Sequence, residues 1–158
     1  MKKLVIPNNI LFKRVTAMLD AGSKVIIPTK GYSMRPFLHG GRDNVELEKA
    51  EEVEVDDIVL IKYQDRYILH RCIAKKDGKT IIQGDGVCGN TEICPPGIIL
   101  AKVTRIMKRG SVEVDPRSEK MLRKVHLWRR LSPVRPLLLL VMVRIPRKLK
   151  SLIGIYEN

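Results

Sequence analysis

Residues 57–83 read DIVLIKYQDRYILHRCIAKKDGKTIIQ, and their reading decides the fold. Residues 57–63 carry a continuous apolar run, the pattern of a buried strand. A short turn at Gln64-Asp65-Arg66 leads into a second strand over 67–74. Asp77-Gly78 is a strong two-residue hairpin signal, because both central positions of such a turn need positive φ. Residues 80–83 continue that hairpin as a third strand. Upstream, residues 44–49 alternate, with Val45 and Leu47 on one face. Residues 31–41 form a loop and residues 24–28 a short β-like run. Before these, Leu11, Val15, Met18 and Leu19 recur at helical spacing, and Asn8 or Asn9 can cap a helix over 9–21 that Gly22 stops. Downstream, residues 84–97 are rich in Gly, Pro and Asn and read as a long loop. Strands follow over 98–108 and 112–114, joined by a turn at Arg109-Gly110.

Beyond Asp115 the pattern becomes helical and basic. One amphipathic helix is expected over 117–130, broken by Pro133 and Pro136. A second is expected from about 137 to 153, kinked near Pro146. The fold class expected is mainly β, a β-rich core with a short N-terminal helix and a basic helical tail. The divisions are 1–22 for the helix, 23–115 for the β-rich unit and 116–158 for the tail.

Composition narrows the function. The chain has 158 residues, enough for one core. Aromatic residues make up 4%, too few for an extended base-stacking surface. The formal net charge is +13, of which +2 falls in residues 1–100 and +11 in residues 101–158. A polyanionic partner for the C-terminal third is the expectation. Three cysteines, Cys72, Cys88 and Cys94, make neither a disulfide framework nor a zinc site, so no metal and no cofactor is expected. The opening MKKLVIPNN has three apolar residues before Pro7, too few for a secretory signal peptide. The longest apolar run, residues 137–143, is too short to span a bilayer. The expected location is cytoplasmic, or peripheral on the inner face of a membrane.

Three short elements can carry chemistry. Gly31-Tyr32-Ser33-Met34-Arg35-Pro36 puts a serine in a glycine-flanked loop. Tyr67-Ile68-Leu69-His70-Arg71-Cys72 puts a histidine mid-strand, on the face of Ile68 and Cys72. Gln83-Gly84-Asp85-Gly86 puts an acid in a glycine turn. Alone, each has a bland explanation: a turn serine, a core histidine, a turn aspartate. Together they supply a nucleophile, a base that accepts its proton, and a carboxylate that orients the base. The Asp77-Gly78 hairpin would bring Asp85 within reach of His70.

In this order the elements resemble the type I signal peptidases and the related LexA-type self-cleaving proteins. Ser33-Met34-Arg35-Pro36 is similar to their Ser-Met-x-Pro core. Asp57-Ile58-Val59 resembles their Gly-Asp-Ile-Val strand, with Asp56 where glycine is usual. Residues 68–73 resemble the His-Arg strand of the archaeal and endoplasmic-reticulum branch, and Gly84-Asp85 resembles its Gly-Asp-Asn. The resemblance covers residues 24–108. It implies a serine endopeptidase acting on a signal-like or leader-like peptide within a precursor protein. Ser33 would be the nucleophile, His70 the general base where bacterial relatives use lysine, and Asp85 its support. Met34 would line the groove. The Ser33 N–H would donate to the oxyanion, and Gly31 stands where some relatives place a hydroxyl. Two other readings remain: an inactive peptide-binding module of the same fold, and a LexA-like regulator associated with nucleic acid.

The tail bears on the partner. Residues 117–150 hold eleven Lys or Arg and one acid, Glu119, interleaved with Trp128 and many aliphatics. That mixture fits an anionic membrane surface, approached through residues 117–153, better than nucleic acid, whose phosphates need no seven-residue apolar run; the alternative is a pair of helices packed on the β core with an ordinary solvated basic face.

Overall fold

The structure is a computed structural model and describes residues 8–63, 66–109 and 112–144. Its elements are α1 (Asn8–Asp20), β1 (Val25–Pro28), β2 (Asn44–Lys49), β3 (Ile58–Tyr63), β4 (Arg66–Lys76), β5 (Lys79–Gln83), β6 (Glu92–Cys94), β7 (Ile99–Lys108), β8 (Val112–Val114), α2 (Glu119–Arg130) and α3 (Arg135–Arg144). The eight strands make one open antiparallel sheet in the order β1-β2-β7-β3-β4-β5-β6, with β8 on β7. The chain is therefore β-rich, with three short helices.

The strands expected over 57–83 are present. β3 and β4 pair from Ile58↔Arg71 to Tyr63↔Arg66. Asp77 and Gly78 both take positive φ, 49° and 70°, which a right-twisted two-residue hairpin requires. β5 then pairs with β4 from Lys76↔Lys79 to Arg71↔Gln83, but the register slips by one between Cys72 and Ala74. Ile73 is the extra residue of a β-bulge. The stretch 84–97 is not all loop: β6 lies within it and pairs with β5. A three-residue strand is too short to show periodicity in a Gly- and Pro-rich setting.

Two apolar clusters hold the sheet. The larger unites Val15 and Leu19 of α1 with Val45, Leu47, Ile58, Leu60 and Ile106 of the sheet, and with Met121, Val125 and Trp128 of α2. The smaller, Val59, Ile61, Ile82 and Cys94, lies apart from it. Met18 departs from the apolar face expected of α1 and is exposed. The chain leaves α1 through Gly22, at φ 78°, where Ser23 N–H donates to Met18 O at 2.9 Å.

The first helix of the basic tail is part of the core. Met121, Val125 and Trp128 recur on one face of α2 and are buried. Fully burying side chains of this size is worth roughly 1.5–3 kcal/mol each. Trp128, expected at an interface, is therefore turned inward. Pro136 lies inside α3 rather than before it, because a first-turn proline forfeits no helical hydrogen bond. The continuation to residue 153 and the kink near Pro146 lie outside the described residues, as do Gln64, Asp65 and Gly110. No described helix is long and apolar enough to cross a membrane.

Candidate active site

Ser33 stands on the loop between β1 and β2. Met34, Phe37 and Leu38 root that loop in the larger apolar cluster. Asp43, 1% exposed, ties its far end: His39 N–H donates to Asp43 Oδ2 at 2.9 Å, and Thr29 Oγ1 donates to Asp43 O at 2.7 Å. Gly86 N–H donates to Ser33 O at 2.7 Å, so the Gly84-Asp85-Gly86 turn and the serine loop are in direct contact.

That contact explains the glycines. A Cβ at Gly84 would fall 2.4 Å from Ser33 O and 3.0 Å from His70 Nε2. A Cβ at Gly86 would fall 2.8 Å from Tyr32 O. Only residues without side chains let the two loops meet. The same numbers orient the histidine. His70 Nε2 lies against Gly84, which also abuts Ser33 O, while His70 Nδ1 lies 2.9 Å from Glu92 Oε2. A carboxylate only accepts, so this contact sets the ring proton on Nδ1 and leaves Nε2 as an acceptor.

The carboxylate on His70 is therefore Glu92 of β6, not the expected Asp85. Asp85 is spent on Arg71: Arg71 Nε donates to its Oδ1 at 2.9 Å and Arg71 Nη2 to its Oδ2 at 2.8 Å. Arg71 Nη1 also donates to Asp56 O at 2.8 Å, and its guanidinium lies 5.5 Å from the Phe37 ring. His70 and Arg71 are consecutive in β4, so their side chains leave opposite faces of the strand. Asp85 lies on Arg71's side. Sequence reasoning missed Glu92 because β6 was read as loop; the signal available was an acid beside Ile93 within a run of β-compatible residues.

Ser33 and His70 line one groove of about 380 Å³. Gly31 and Met34 line it too, with Phe12 and Tyr67 among its apolar walls. The Phe12 and Tyr67 rings stack, their centroids 3.8 Å apart, so α1 closes one side. No hydrogen bond joins Ser33 Oγ to His70 among the described contacts; such bonds are often long before substrate binds and tighten in the complex. Two strand edges border the groove. Among the described residues, β1 pairs only with β2, and β4 has no β5 partner from Arg66 to His70. The N–H groups of Ser33 and Met34 donate to no acceptor among the described residues.

Of the three free cysteines, Cys72 and Cys94 are buried and Cys88 is exposed. Burial pushes the Cys72 and Cys94 thiols up, which keeps them protonated near neutral pH. No cluster of three potential metal ligands is found among the described residues. Lys75, a near neighbour of His70 in sequence, donates instead to Val53 O at 2.9 Å.

The helical tail backs the site. Trp128 Nε1–H donates to Asp85 O at 2.7 Å, and Arg135 Nη2 donates to Val87 O at 2.7 Å. Asp56 holds φ 80°, a conformation that favours glycine. Its side chain has a use there: it accepts from His126 at 2.9 Å and pairs with Arg129 at 2.7 Å, fastening α2 to the sheet.

No protein-family model matches this sequence, and no curated protein matches it either.

Proposed function

We propose that the chain is a serine endopeptidase of the signal-peptidase and LexA-like kind, with Ser33 as nucleophile, His70 as base and Glu92 as the carboxylate that orients it. The observation that carries this reading is the two-sided placement of His70: Nδ1 on Glu92, Nε2 turned toward the serine loop across Gly84. Ser33 Oγ attacks the scissile carbonyl carbon as His70 Nε2 takes its proton. Glu92 stabilises the imidazolium that results. The Ser33 and Met34 N–H groups receive the oxyanion. Collapse breaks the C–N bond, and His70 returns its proton to the leaving amine. Water then repeats the sequence to release the acyl group. An extended apolar peptide suits the groove, because the free edges of β1 and β4 offer it backbone hydrogen bonds.

The test is hydrolysis of a panel of internally quenched, apolar leader-like peptides. Wild type should cleave members of the panel, with kcat/KM falling by about 10⁴-fold or more in Ser33→Ala and in His70→Ala. The missing Ser33–His70 hydrogen bond favours a second reading, a groove that binds peptides without cutting them. Tight peptide binding by wild type with no cleavage, or cleavage that survives both substitutions, overturns the peptidase.

A further inference from the structure

α3 presents two different apolar faces. Leu138 and Leu139 pack against the core. Leu137 is 62% exposed, and Leu140, Val141 and Val134 are also exposed. Positions 134, 137 and 141 follow one another along one side of the helix and the turn before it, with 140 beside them. Aliphatic side chains contiguous in this way mark an interaction surface more often than scattered ones do. α2 adds the charge. With Met121, Val125 and Trp128 turned inward, Arg123, Leu127 and Arg130 point outward, flanked by Lys120 and Lys124. Arg123 pairs with Glu119, whereas Lys120, Lys124 and Arg130 form no ion pair among the described residues. The sequence beyond continues in the same style, with Arg147, Lys148 and Lys150 among Leu149, Leu152 and Ile153.

We propose that the exposed aliphatic stripe of α3, together with the exposed cations of α2, docks on an anionic lipid bilayer. A second copy of the chain is disfavoured by charge, since residues 101–158 carry +11 and would face their like. Nucleic acid would satisfy the cations and leave the aliphatic stripe in water. A bilayer with anionic headgroups satisfies both, the stripe entering the acyl boundary and the cations lying at the phosphates. Arg135, two residues from Leu137, donates to Val87 O beside the turn that touches the serine loop, so the docking helix is tied to that turn.

The experiment is vesicle flotation of the full chain, because α2 contributes to the core and cannot be removed cleanly. Vesicles are phosphatidylcholine alone, or phosphatidylcholine and phosphatidylglycerol in equal parts. Wild type should float at least about tenfold more with the anionic vesicles. Leu137→Glu with Leu140→Glu should lose about tenfold of that, since both side chains are exposed and each change opposes insertion. Arg123→Gln with Arg130→Gln should also lower flotation and leaves the aliphatic stripe intact. Val112→Glu, a change at an exposed aliphatic on β8, should float as wild type does. No flotation, equal flotation on neutral vesicles, or double variants that float like wild type would each overturn the proposal. So would a gel shift with RNA in the absence of vesicle binding. The readout needs no peptide cleavage and stands whether or not the groove is catalytic.

Discussion

Two consecutive residues of one strand each hold a carboxylate, and the two pairs differ in almost everything else. Arg71–Asp85 is sealed: the side chains are 0% and 6% exposed, and the carboxylate is bound by two guanidinium nitrogens. His70–Glu92 is open on one side: the histidine side chain is 7% exposed but Glu92 is 27% exposed, and Nε2 has no hydrogen-bond partner among the described residues. A sealed, saturated pair has no capacity left for chemistry, and its work is to hold two loops together. An orienting carboxylate with a base whose second nitrogen is free has the form of a catalytic pair. The difference between them is only which face of β4 the side chain leaves.

The largest effect should come from the sealed side. Asp85→Ala leaves the Arg71 guanidinium buried with one carbonyl partner, and breaking such a pair costs about 3–5 kcal/mol. For a chain of this size that is a fall in Tm of roughly 10 °C or more. The activity that remains, measured well below the new Tm, should be closer to wild type than that of His70→Ala. Thermal unfolding monitored by far-ultraviolet circular dichroism checks the first part and peptide hydrolysis the second. A stable Asp85→Ala protein with no activity would reverse the roles assigned to the two carboxylates.

The next effect tests the open side. Glu92→Gln keeps the shape but offers Nδ1 either an acceptor or a donor, so the wrong imidazole tautomer becomes available. The expected result is a loss of about 10²-fold in kcat/KM. Tm should move little, since Glu92 is partly solvated. Equal kinetics for Glu92→Gln and wild type would remove Glu92 from the mechanism.

Much of this arrangement could be read in the sequence, and the misassigned carboxylate shows where reading stopped. The strands over 57–83 were legible because apolar runs and the Asp77-Gly78 turn act over a few residues. The Ser33 loop and His70 were legible through their order and company. The resemblance assigns Asp85 to His70 and the Asp77-Gly78 hairpin puts it within reach; a regular hairpin would bring the two level. The bulge at Ile73 shifts β5 by one place relative to β4. A one-residue slip exchanges the faces of a strand. Gly84 then comes level with His70, and Asp85 falls on the side of Arg71. Nothing in the residues around Ile73 announces that bulge, and β6, which brings Glu92, is too short to show a pattern. Asp56 is the converse case. The sequence marked it as an oddity at a glycine position, and only the positions of His126 and Arg129 give it a purpose.

The smallest effect sharpens the comparison most finely. Trp128 touches the sealed pair through its N–H on Asp85 O; its ring is buried in the larger cluster, with the Arg135 guanidinium 6.0 Å from its centroid. Trp128→Phe keeps an aromatic ring in the cluster and removes the donor. The Asp85 carbonyl then lacks that partner in a buried setting, which costs about 1–3 kcal/mol. The loss should appear as a shift of the urea midpoint, with an unchanged slope. Because the donor acts on the backbone beneath Asp85 and not on His70 or Glu92, kcat/KM should stay within a small factor of wild type. If Trp128→Phe lowered activity as much as Glu92→Gln while leaving stability intact, α2 would be acting on the reaction itself. The division of β4 into a structural face and a chemical face would then fail.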